Sequence, residues 1–71
     1  MKLAEFDMQM FLLGFHKKTS GKVEIYKKDN YTVNRNKSKN VITIVVLEEN
    51  TYKNALTTRE FHTAIEYLIE N

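Results

Sequence analysis

The run Val41-Ile42-Thr43-Ile44-Val45-Val46-Leu47 constrains this chain more than any other stretch. β-branched side chains dominate it and Thr43 is its only polar member, so it reads as a strand apolar on both faces. Such a strand is not expected to be a simple surface strand. Both faces need cover and both edges need partners, because a long exposed apolar edge is a template for aggregation.

Little chain is left to supply that cover. The 71 residues amount to one domain, and a domain of this size buries only about 60% of the surface its unfolded chain exposes. There is no cysteine, which removes both a disulfide frame and a thiolate metal site and makes the cytoplasm the expected location. Glu5, Asp7 and Gln9 interrupt the first apolar stretch, so no export signal is expected. The longest apolar runs, residues 10–13 and 44–47, fall far short of the roughly 18–20 residues of a membrane span. Nine lysines against two arginines, with seven Asn and seven Thr, suggest an AT-rich coding genome, a make-up associated with bacteriophages and mobile elements. On that reading the site of action is the host cytoplasm.

Elsewhere the periodicity is informative. Thr57-Thr58-Arg59-Glu60 has the form of a capping box, and Phe61, Ala64, Ile65, Leu68 and Ile69 recur on one face behind it, predicting a helix over residues 58–70. Residues 22–28 and 31–36 flank Asp29-Asn30, a dipeptide suited to a two-residue hairpin turn. That turn sets Glu24 opposite Arg35 and Tyr26 opposite Val33. Leu3, Phe6, Met10 and Leu13 follow a helical stripe ending at Gly14, although Asp7 falls within the apolar arc. Read with period two, the same region instead gives a strand face of Gln9, Phe11, Leu13 and Phe15. The helix is preferred.

The expected fold is a single α+β domain over residues 1–71, in the order α-β-β-β-α. Its sheet is antiparallel, with three strands or, counting residues 51–55, four, and its helices pack on one face. The order is similar to that of double-stranded RNA-binding domains. In that family a lysine-rich motif opens the second helix. Here that helix opens Thr58-Arg59-Glu60-Phe61-His62, so no residue and no activity is carried over. A three-strand meander also leaves a mismatch, because residues 41–47 would form an edge. Either a fourth strand or another chain must pair there.

Catalytic chemistry has little to build on. His16 and His62 form no HxxxH or HExxH pair, Ser20 and Ser38 lie in expected turns, and Gly14 and Gly21 make no phosphate-binding pattern. No enzyme activity, cofactor or metal is expected. The leading expectation is a small regulator that binds a protein, either a host protein or a second copy of itself, through Val41, Thr43, Val45 and Leu47. The alternative is nucleic acid. Over residues 17–39 eight cations face only Glu24 and Asp29, and Lys17, Lys18, Lys22, Lys27, Lys28, Tyr31, Arg35, Lys37 and Lys39 are the candidates for phosphate, base or acidic-partner contacts.

Overall fold

A computed structural model describes residues 1–71. The chain runs α1 (Leu3–Leu12), β1 (His16–Ser20), β2 (Val23–Lys28), β3 (Tyr31–Asn36), β4 (Val41–Glu48), β5 (Thr51–Thr58) and α2 (Phe61–Glu70). The class is α+β as expected, but the sheet has five strands, not three or four. It is an antiparallel meander in which each strand pairs with the next in sequence. Strand β5 is the fourth strand expected over residues 51–55, extended to Thr58; β1 is the addition, and these two strands are the edges of the sheet. The likeness to the RNA-binding order therefore does not hold.

Helix α1 carries Phe6 and Met10 into the core, with Leu3 and Leu13 packed beside them. It ends where Gly14 turns left-handed at φ +95°. The Gly14 N–H then donates to the Phe11 carbonyl at 2.9 Å and the Phe15 N–H to the Met10 carbonyl at 3.0 Å. This is a Schellman stop, completed by the buried contact partners Phe15 and Met10. The stop also reverses the chain into β1.

Three two-residue turns and one four-residue loop join the strands. Asp29-Asn30 closes the β2–β3 hairpin in the expected register, with Glu24 opposite Arg35 and Tyr26 opposite Val33. Glu49 and Asn50 both take positive φ, 50° and 65°, as a two-residue loop matched to the twist of its strands requires. Strand β5 jumps register opposite Ile44 and Val45, leaving Ala55 as a bulge. That bulge bends one edge strand and the lysines of β1 guard the other, two ordinary defences against edge pairing.

Strand β4 is thus not an edge: of the two alternatives, a fourth strand or another chain, it is a strand of this chain, β5, that pairs there. Ile42 and Ile44 point into the core, where they meet Phe6, Met10, Phe15, Tyr26, Val33, Ala64 and Ile65. Both helices supply core residues on this same side of the sheet. Helix α2 starts at Phe61, not at residue 58. The reason is that Thr57 and Thr58 extend β5 by pairing with Thr43 and Ile42, so the ladder takes the residues the capping box would have used. Thr58 Oγ1 accepts the Glu60 N–H at 3.1 Å instead. Ile69, expected in the buried stripe, is 62% exposed, and Tyr67 packs against the core in its place.

Candidate functional site

The helices cover one face of the sheet and leave the other open. Strand pairing fixes what that open face carries. One row runs Ser20, Val23, Asn36 and Val41 from β1 to β4; the next runs Lys18, Ile25, Asn34, Thr43 and Thr57; the third runs His16, Lys27, Thr32, Val45 and Asn54. Leu47 and Tyr52 form a last pair on the β4–β5 side. Read down the strands, Val23 and Ile25 form one aliphatic ridge and Val41, Val45 and Leu47 form another. Between them lies the polar floor of β3, Thr32, Asn34 and Asn36. All eight are half-buried by their sheet neighbours alone.

The charge on this face has one sign. Lys18 and Lys27 stand on it, Lys39 borders it, and no aspartate or glutamate occurs in any of its rows. Every carboxylate lies on the helices, in the turns or on the helix side of the sheet. A depression of about 460 Å³, lined by Val23, Asn34, Asn36, Lys39, Val41 and Thr43, opens at the end where the β3–β4 loop returns. The Asn36 carboxamide accepts the Lys39 N–H at 3.0 Å and so holds that loop over the depression.

The residues singled out from sequence divide between the two sides. Val41, Thr43, Val45 and Leu47 share the open face. Of the basic set, Lys18 and Lys27 lie there too, while Lys22, Lys37 and Lys39 gather at the loop end, where the Lys37 N–H donates to the Lys22 carbonyl at 2.8 Å. The others face the helices. Lys28 Nζ donates to the Leu13 carbonyl at 2.7 Å and Tyr31 Oη to the Asn71 carbonyl at 3.3 Å. Lys17 bridges Asp7 at 2.9 Å and Glu24 at 2.7 Å, and Arg35 pairs with Glu24 at 2.6 Å. Sequence reasoning missed Val23 and Ile25, whose alternation along β2 is the signal that could have found them. A second uncovered apolar stripe, Met8, Phe11 and Leu12, lies on the outer side of α1.

The ion cluster under α1 joins Asp7, Lys17, Glu24, Tyr26 and Arg35, and its titration sets an expected pH dependence of stability. Burial alone would raise the Asp7 carboxyl, but the Tyr26 hydroxyl at 2.5 Å and the Lys17 ammonium outweigh it and hold the group low. Glu24 is likewise opposed by burial and held low by Lys17 and Arg35. Lys17 is raised by the same two carboxylates against its own burial, and Tyr26 is raised by burial and by Asp7. The contribution of Asp7 and Glu24 is therefore complete above their ordinary 3.8 and 4.5 and disappears as the pH falls through their lower folded values. That of Lys17 and Tyr26 is complete below their ordinary 10.5 and 10.0 and is lost as the pH rises. Melting temperature should thus be flat between roughly pH 5 and 9 and fall on both sides. Asp7→Asn should flatten the acid limb; an acid limb unchanged in that variant would show that the cluster does not set it.

His16 and His62 stand on different elements, and no three His, Asp or Glu side chains converge as a metal site would require. No helix is long and apolar enough to cross a membrane. No family model matches the chain, and no curated protein or solved structure matches it.

Proposed function

We propose that this chain is a non-catalytic binding module, a cytoplasmic regulator that acts by occupying a protein partner on the open face of its sheet. One observation carries the reading. A five-stranded sheet presents two aliphatic ridges, Val23 with Ile25 and Val41 with Val45 and Leu47, and no element of the chain lies over them. Apolar side chains left uncovered on a sheet face, beside polar groups, are a mark of a docking face.

Nucleic acid is the second reading, favoured by Lys22, Lys37 and Lys39 at one end of a face that carries Lys18 and Lys27 and no acid. Its binding would weaken steeply with salt, since each phosphate contact releases counterions.

Affinity capture from lysate, with and without nuclease, separates the two when run on three proteins. The wild type and a Phe11→Glu variant, altered on the outside of α1, should retain the same nuclease-resistant protein. Val45→Glu, which sets a charge in the middle of the β4 ridge, should lose it. Equal capture by Val45→Glu would remove the open face as the site, and loss of every partner on nuclease treatment would favour nucleic acid.

A further inference from the structure

Resting on that reading, we infer that the element docking on the open face is an acidic amphipathic α-helix lying along β3, between the two aliphatic ridges. The first argument is about backbone hydrogen bonds. Strands β2, β3 and β4 are paired on both sides, so their N–H and C=O groups are spent within the ladder. The face can offer side chains only. An extended peptide laid on it would leave its own backbone groups unpaired as it lost water, whereas a helix satisfies its own.

The second argument is dimensional. The ridges stand on β2 and β4, two strand spacings apart, which is roughly 10 Å. A helix with its side chains is about 10–12 Å across. Six residues of β3 run for roughly 20 Å, the length of about 13 helical residues. Apolar side chains at i, i+3, i+4 and i+7 would reach both ridges over that length, and a single polar side chain among them would answer Asn34 on the floor.

The third argument is charge. Lys18 and Lys27 flank one ridge, Lys39 caps the depression, and no carboxylate answers them on this face. A helix with glutamates along its flanks supplies the missing sign, and such complementarity acts mainly on specificity and association rate. The same open face of a second copy would bring more lysine and no acid. Single-stranded nucleic acid fits less well, because the ridges are aliphatic and the aromatic rings on this face, His16 and Tyr52, stand on the two edge strands, away from the floor.

The test uses four fluorescent probes against the folded full chain: a 14-residue Leu/Glu peptide patterned as an amphipathic helix, its Leu/Lys counterpart, a scrambled Leu/Glu peptide, and a twelve-residue oligothymidylate. The amphipathic acidic peptide should bind at least about tenfold more tightly than each of the others and lose affinity several-fold as salt rises. Amide shifts on titration should fall on β2, β3 and β4. The double variant Lys18→Glu/Lys27→Glu, altered only at exposed positions, should abolish the preference for acid over base. Val45→Glu should abolish binding. Tighter binding of the oligothymidylate, equal binding of the scrambled peptide, or shifts confined to α1 would overturn the inference. So would a concentration-dependent dimer that Val45→Glu dissociates, since it would name a second copy as the occupant. Failure of the peptide alongside Val45-dependent capture of a natural protein would defeat the helix assignment and leave the docking face standing; loss of both would defeat the face itself.

Discussion

Glu24→Ala should destabilise the domain by about 3–5 kcal/mol, the range for removing one partner of a buried ion pair. At roughly 0.05–0.15 kcal/mol per residue, a chain this short has only about 4–10 kcal/mol of stability in all. The Glu24 side chain is 6% exposed and accepts from Lys17 and from Arg35, whose own side chain is 12% exposed. Without it Lys17 keeps Asp7 and remains a third exposed, so its share of the loss is small. Arg35 has no such recourse. Its Nε is buried without a partner already, and what remains to it is Asn40 at 3.5 Å and the Phe61 ring 5.4 Å away. Urea denaturation should place the midpoint of the alanine variant well below that of the wild type. The double variant Glu24→Met/Arg35→Met should recover most of the loss, since removing both charges leaves nothing unpaired. Equal instability of the two variants would trace the effect to lost packing and not to the pair.

That cluster also shows why the basic residues could not be sorted from sequence. A count over residues 17–39 finds eight cations and two acids, but Lys17 is answered by Asp7 from α1, outside the window. Arg35 is answered by Glu24 across the hairpin, a pairing the Asp29-Asn30 turn made legible. The β2–β3 hairpin was readable because turn chemistry, cross-strand charge and cross-strand packing agreed. Strand β1 was not, because His16-Lys17-Lys18-Thr19-Ser20 is exposed throughout and carries no apolar alternation to detect. Strand β5 was half hidden for a related reason: the bulge at Ala55 breaks its period of two just before Leu56 turns inward. Helix α1 read ambiguously because Met8, Phe11 and Leu12 make its outer side apolar as well, and Asp7, which looked misplaced, sits at the margin of the core as the acceptor for Tyr26. The open face could be seen only in part. The outward set of β4 follows from alternation, but its union with Val23 and Ile25, and the lack of any acid among them, depends on the register of all five strands.

The other large effect is expected at Phe6. Phe6→Ala should destabilise the fold by about 3–5 kcal/mol, the range for truncating a fully buried phenylalanine. Phe6 is 0% exposed and joins three elements: from α1 it meets Tyr26 of β2 edge to face, at 5.4 Å and 87°, and lies 4.8 Å from the Phe61 ring at the start of α2. A ten-residue helix is not stable alone in water, so α1 persists only while its inner face is packed. The loss should therefore be uneven. Amide hydrogen exchange in the variant should show α1 losing protection at lower free energy than β2, β3 and β4, whose ladder does not pass through the helix. Uniform loss across helix and sheet would mean that the domain opens only as one unit, and a change below about 1 kcal/mol would mean that the neighbouring rings close over the gap. Because the open face is built by strand register alone, a variant with α1 loosened and the sheet intact should still present both ridges, which separates what holds the fold together from what the fold displays.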